Sequence, residues 1–331
     1  MSGGTSFSGG IRRAEGMACL VVKAGGRSVF PEWKALFAEL MPQLDVRDWY
    51  DSALDPTEVT YALVWEPDAG RLAQMPHLKA VLSVAVGVDH ITADPNRPRH
   101  VPIIRMGGAE TAIQMADYVQ WAVFSLLREA PRWHTGQQER QWTRRGMPQT
   151  RLSTETRVGV MGLGSLGGHV AQRLVQTGFQ VSGWARHEKY IEGVTCHTGP
   201  EGLPAFLGEC DTLVCLLPET AETRGIITYD VLAQLKKPSG FVNVGRGALV
   251  VEADLLRALQ DETLHGAVLD VFSTEPLPET SPLWGQPGVL ITPHVASEAS
   301  RATRARYVVS VIQALEQGQD VPLRYDAERG Y

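Results

Sequence analysis

The sequence predicts an α/β protein of two domains, each a parallel sheet covered by helices, and three observations predict it. Short β-type runs alternate with helix-length segments along most of the chain. Several of these runs, VGVMG and LVCLL among them, lack the polar alternation of a half-exposed strand and suit burial on both faces. At 331 residues the chain exceeds one small core and fits two domains of ordinary size.

Residues 1–16, MSGGTSFSGGIRRAEG, are Gly- and Ser-rich with no apolar stretch, so they read as a flexible leader before Met17 and not as a secretory signal. From Met17 to about Met106 the expected strands are CLVVK, DVRDW, YALVW, LKAVLSVAV and PIIRM. The helical PEWKALFAEL and a short helical AGRLAQM lie between them. A long helix with apolar periodicity is expected from about Glu110 to Arg128, followed by a polar, Trp- and Arg-rich loop from Trp133 to Arg151. At Arg157 a second series begins, with strands RVGVMG, QVSGW, TLVCLL, GFVNVG, AVLDVF and VLITP. Its helices include HVAQRLVQTG, YDVLAQLKK and EADLLRALQ. A last helix, from about Glu298 to Gly318, precedes a short polar tail.

Composition narrows the function. Hydrophobic residues make up 44% and charged ones 21%, enough apolar material for a core and too little charge for disorder. The 37 acidic residues outnumber the 31 basic ones, a formal charge of −6 that weighs against a nucleic-acid partner. No apolar run approaches the ~20 residues that span a bilayer, and a cytoplasmic location is expected. The four cysteines, Cys19, Cys196, Cys210 and Cys215, show no CxxC spacing, so neither a zinc site nor a disulfide framework is expected.

Directly after the RVGVM strand comes Gly162-Leu163-Gly164-Ser165-Leu166-Gly167, which opens a helix. With 33 glycines in the chain the spacing alone is weak, but in strand–turn–helix context it is a dinucleotide-binding fingerprint. Gly162 permits the tight turn, Gly164 lets backbone approach a pyrophosphate, and Gly167 lets helix and strand pack closely. The helix N-terminus then offers unpaired N–H groups and a positive dipole to phosphate. At the end of the next strand, Trp184-Ala185-Arg186, an NAD enzyme would carry an acid for the ribose 2′-hydroxyl. Ala185 and Arg186 instead remove a repulsion and supply a fork for a 2′-phosphate, so NADP(H) is expected ahead of NAD(H).

Three later segments also lie at strand ends, where α/β sheets bind ligands: Asn243–Gly247 (NVGRG), Asp270–Pro278 (DVFSTEPLP) and Thr292–Ser297 (TPHVAS). Arg246, Glu275 and His294 in that order, with the fingerprint upstream, resemble the D-2-hydroxyacid dehydrogenase family. Tyr61-Ala62-Leu63-Val64-Trp65, Gly87-Val88-Asp89, Ser281-Pro282-Leu283-Trp284 and the closing Arg329-Gly330-Tyr331 resemble its glyoxylate/hydroxypyruvate reductase A branch. The likeness runs over essentially the whole chain from Met17.

That resemblance implies two Rossmann-like domains, an NAD(P)-binding one inserted into a flavodoxin-like substrate domain. It sets residues 17–118 and 297–331 in the substrate domain and 119–296 in the cofactor domain, with a dimerisation arm over about 130–155. It implies NADPH-dependent reduction of glyoxylate and hydroxypyruvate by a cytoplasmic homodimer. Arg246 would clamp the carboxylate and polarise the keto oxygen, His294 would deliver the proton, and Glu275 would orient the imidazole and keep it charged. The chemistry of each side chain supports its role. By the same resemblance Val86 and Gly87 offer N–H groups to the substrate carboxylate, from a loop where this chain has Ala85 in place of the family's common glycine. Trp65 lines the pocket, Met115 approaches nicotinamide or substrate, and Trp142 reaches a neighbour's site, each with core or interface packing as the plainer alternative. Asp270 bonds the nicotinamide carboxamide, and Trp184, Leu217, Pro218, Val244 and Gly245 complete the cofactor contacts. Other readings are a different acid, such as lactate, phosphoglycerate or a bulkier keto acid, and a dinucleotide-sensing corepressor without enzyme activity. Glu275 weighs against the formate dehydrogenase branch, and the end of the chain at Tyr331 against a regulated phosphoglycerate enzyme.

Overall fold

The computed structural model describes residues 18–142, 151–328 and 330; the expected leader over 1–16 lies outside them. The chain forms two compact units. One runs to Gly107 and resumes over Ser300–Asp326; the other takes Gly108–Ala299 and the closing residues from Ala327.

The first unit holds β1 (Cys19–Lys23), α1 (Phe30–Leu40), β2 (Asp45–Asp48), β3 (Tyr61–Val64), β4 (Ala80–Ser83), α2 (Asp89–Thr92) and β5 (Ile103–Ile104). Its sheet is parallel in the order β2-β1-β3-β4-β5, the flavodoxin-like order. Period-2 side-chain alternation sends Leu20 and Val22 to one face, with Trp33 and Phe37 of α1, and Cys19 and Val21 to the other, with Trp49 and Ile91. The expected helix AGRLAQM is only a 3₁₀ turn at Leu72–Gln74.

The second unit opens with α3 (Ala109–Leu127) and α4 (Ala130–Gln138), then β6 (Arg157–Met161), α5 (Ser165–Gln176), β7 (Gln180–Ala185), β8 (Val194–Thr198), α6 (Gly199–Glu209) and β9 (Thr212–Cys215). It continues through α7 (Tyr229–Ala233), β10 (Gly240–Asn243), α8 (Glu252–Gln260), β11 (Gly266–Leu269) and β12 (Val289–Ile291). Its seven-stranded parallel sheet runs β12-β11-β10-β9-β6-β7-β8. The order reverses between β6 and β9, and that switch point is where doubly wound sheets take dinucleotides. One face packs against α3 and α5 and the other against α6 and α8. The chain returns to the first unit through α9 (Arg301–Glu316), which buries Ala305, Val308 and Ile312 there.

The structure differs from the sequence reading in places. The expected loop from Trp133 begins inside α4, because Pro131 sits in the first turn, where its missing N–H costs nothing. β8 and α6 carry no clear signal in the sequence: β8 is a half-exposed edge strand and α6 contains two prolines and three glycines. The expected boundary at 118 falls inside α3, whose Ala116, Val119 and Val123 are fully buried in the second unit's core.

Candidate active site

Within the second unit, the C-terminal ends of β10, β11 and β12 bring Arg246, Glu275 and His294 onto one edge of the sheet. After β10 the turn closes on Asn243, whose side chain donates to Arg246 O (3.1 Å) and accepts from Gly245 N–H (3.2 Å). A Cβ on Gly247 would fall 1.8 Å from the Phe272 carbonyl carbon, so only glycine lets the Arg246 turn pass the β11 loop. Arg246 Nη1 donates to the Gly245 carbonyl at 2.7 Å.

After β11, the Glu275 carboxylate accepts from Phe272 N–H (2.9 Å) and binds His294 Nδ1 (2.7 Å). His294 follows Pro293 in a left-handed conformation, φ 56°. Such a backbone costs about 1–3 kcal/mol and persists only where its surroundings hold it. Here its N–H donates to Asp270 O (2.9 Å), and the buried Asp270 carboxylate accepts from Val295 N–H, Ala296 N–H and the Thr292 hydroxyl at 2.9, 2.9 and 2.5 Å. Thr292 gives its one proton to Asp270, so the hydroxyl of the partly buried Tyr118, 2.6 Å away, donates to Thr292. Burial raises the Tyr118 pKa and keeps that proton in place.

The electrostatics follow the geometry. The hydrogen bond to Glu275 raises the His294 pKa above the usual imidazole value, against burial and the Arg246 charge. Burial pushes Glu275 up, but the bonds from His294 and Phe272 N–H and the two nearby cations leave it lowered overall. The pair therefore stands as imidazolium and carboxylate over a widened pH range.

The fingerprint turn follows β6 as expected. Gly162 has φ 108°, and a Cβ there would lie 2.8 Å from Leu216 O; a Cβ on Gly167 would lie 1.8 Å from Gly162 O. Gly164 is different, since an added Cβ meets nothing within 4 Å. Among the described residues no packing demands that glycine; its bareness leaves open the approach to the Ser165–Gly167 N–H groups at the start of α5. Leu217 and Val244 are buried, and Gly245 approaches Leu217 O so closely that a Cβ would lie 2.9 Å from it. Arg186 is half exposed and paired with Glu222 Oε2 at 2.6 Å.

Some expected residues are placed otherwise. The Trp184 side chain is buried, with its Nε1 donating to Gly199 O (2.8 Å); at the fingerprint it contributes only its carbonyl, which accepts from Gly162 N–H. Met115 is buried among Ala116 and Val119 in the core. Trp142 is 96% exposed and shares a groove with Trp133 of α4 and with His265 and Gly288, which stand just before β11 and β12, at the sheet edge opposite His294. It does not join the three ionisable residues of its own chain. Of the expected arm, residues 143–150 lie outside the described residues. Sequence reasoning missed Tyr118, which carries no motif, and Glu222, which lies far from Arg186 in the chain.

In the first unit, the loop after β4 is pinned by Arg105 Nε donating to Val86 O (2.9 Å) and Met106 N–H to Ala85 O (3.0 Å). No acceptor for the Val86 or Gly87 N–H is found among the described residues. Ala85 takes no positive φ, so alanine fits where glycine is common. Trp65 follows β3, 36% exposed, with its ring 4.3 Å from that of His90.

Comparison with known proteins finds relatives over most of the chain. The family profile of the D-isomer specific 2-hydroxyacid dehydrogenase NAD binding domain matches residues 120–296. A glyoxylate/hydroxypyruvate reductase A from Yersinia enterocolitica is 35% identical over 305 residues, covering 91% of this chain and 96% of the relative. A D-isomer specific 2-hydroxyacid dehydrogenase from Xanthobacter autotrophicus Py2, solved with NADPH and MES, is 39% identical with TM-score 0.89, covering 95% of this chain and 100% of that one. An NADPH-dependent glyoxylate/hydroxypyruvate reductase from Sinorhizobium meliloti, solved with NADP and sulfate, is 34% identical with TM-score 0.86, at 95% and 100% coverage.

Proposed function

Because the chain belongs to the D-isomer specific 2-hydroxyacid dehydrogenase family of oxidoreductases, we propose that it reduces glyoxylate and hydroxypyruvate to glycolate and D-glycerate with NADPH. The observation that carries this reading is the 2.7 Å His294–Glu275 pair beside Arg246 at three adjacent strand ends.

The residues present fit a phosphorylated dinucleotide. Gly164 leaves the N-terminus of α5 uncovered, and Arg186 stands one strand away, just past a β7 that ends in Ala185 and not in an acid. Bound there, the reduced nicotinamide supplies the hydride. Arg246 holds the keto acid by its carboxylate and polarises the carbonyl. His294, charged through Glu275, gives its proton from Nε2 to the alkoxide oxygen as charge develops there. In the first unit the Val86 and Gly87 N–H groups are open donors of the kind a carboxylate takes. The Asp270–Thr292–Tyr118 chain holds the His294 backbone in register, and the assembly is a homodimer in the cytoplasm.

The test is loss of reduced-nicotinamide absorbance with glyoxylate, hydroxypyruvate, pyruvate and phosphohydroxypyruvate, each with NADPH and NADH. Turnover highest with the first two acids and NADPH is expected. Preference for a larger or phosphorylated acid would replace the substrate, and no turnover with any acid would overturn the reading.

A further inference from the structure

The Arg186–Glu222 ion pair spans the fingerprint. Arg186 follows β7 and Glu222 lies in the loop after β9, and these strands are the two neighbours of β6, whose end carries Gly162–Gly167. The loop that presents Glu222 is ordered from within: the Thr223 hydroxyl donates to Pro218 O (2.6 Å) and accepts from Thr220 N–H (2.8 Å). In the same loop Arg224 pairs with Glu219. Glu222 itself has no part in that ordering, and its side chain is 72% exposed.

We propose that Glu222 sets the coenzyme selectivity of the site by competing with the 2′-phosphate for Arg186. The proposal rests on the coenzyme reading above. A carboxylate on a guanidinium offers the same kind of anionic oxygen as a ribose 2′-phosphate. A 2′-phosphorylated dinucleotide must take Arg186 from Glu222 and then sits beside that displaced negative charge. A dinucleotide with a 2′-hydroxyl leaves the ion pair intact, and the hydroxyl can donate to a nearby carboxylate. Glu222 thus works against the preference that Arg186 creates, and it narrows the gap between the two coenzymes.

The test is calorimetric titration of the whole protein, without substrate, with NADP⁺, NAD⁺, 2′,5′-ADP and 5′-AMP. Glu222→Gln keeps the side-chain size and removes the charge; Glu219→Gln removes a carboxylate of the same loop that pairs with Arg224 instead. For Glu222→Gln the NADP⁺ and 2′,5′-ADP dissociation constants are expected to fall about fivefold, the scale of an exposed ion pair, while those of NAD⁺ and 5′-AMP stay within about twofold. Glu219→Gln should leave the ratio as in the wild type. If Glu222→Gln leaves the ratio unchanged, or Glu219→Gln shifts it equally, the role of Glu222 is overturned while the coenzyme site stands. If the wild type binds neither dinucleotide, the coenzyme reading itself fails, and the proposal with it.

Discussion

At the ends of β10, β11 and β12 the second sheet presents a hydrogen-bonded His294–Glu275 pair beside Arg246, whereas at the ends of β6, β7 and β9 the same edge presents a glycine turn flanked by exposed ion pairs. On the first stretch His294 is fixed through Glu275, its own N–H and a buried carboxylate that accepts three hydrogen bonds. On the second, glycines set the shape and one exposed ion pair, Arg186–Glu222, is the charged feature at the ribose position. The difference follows from what each half must do. Proton delivery depends on a ring held in one orientation and kept charged, which demands a hydrogen-bonded network, here anchored on the buried Asp270 carboxylate. Pyrophosphate binding asks only for open N–H groups, and coenzyme choice only for a surface charge. The first stretch is therefore intolerant of change, and the second can be retuned by single exposed residues.

The glycine turn gives the largest effect. In Gly167→Ala the new methyl meets backbone at 1.8 Å, so thermal unfolding should show a loss of about 3 kcal/mol or more. Gly164→Ala should fold within about 0.5 kcal/mol of wild type yet bind dinucleotide more weakly, because its methyl enters space the protein leaves open. Equal destabilisation by the two would break the distinction between packing glycine and ligand glycine.

Glu275→Gln comes next. It removes the largest cause of the raised His294 pKa. Reduction requires protonated His294, so activity falls as pH rises through that pKa; the falling limb of kcat should move to lower pH and kcat should drop about a hundredfold. The same pair contributes to stability with opposite signs at its two ends. The His294 share is lost as pH rises through its raised pKa, and the Glu275 share as pH falls through its lowered one. In Glu275→Gln, unfolding free energy should flatten between those limits. The smallest effect is Arg186→Ala, expected to raise KM for NADPH about tenfold with little change for NADH. A similar rise for both would remove the account of coenzyme choice.

Most of this edge was legible in the sequence because each strand end carries a short motif: GLGSLG, NVGRG, STEP and TPH. The turn geometry those motifs need is local, as Gly162, Gly247 and His294 demonstrate by their angles and close approaches. What escaped was non-local or masked by composition. Tyr118 reaches Thr292 across 174 positions and Arg186 finds Glu222 in another loop, and neither pairing leaves a trace in spacing. Trp184 stands two residues before Arg186, yet its side chain enters the core while Arg186 is half exposed, so closeness in sequence misled. α4 and α6 were obscured by prolines that the fold tolerates, and β8 by its half-exposed polar residues.

The most direct test of the division between the two stretches is one experiment on His294→Ala: the NADP⁺ dissociation constant by calorimetry and kcat for glyoxylate reduction on the same preparation. The account predicts a dissociation constant within about twofold of wild type and a kcat lower by about a thousandfold or more. Coenzyme affinity lost in step with turnover, or turnover largely retained, would contradict it.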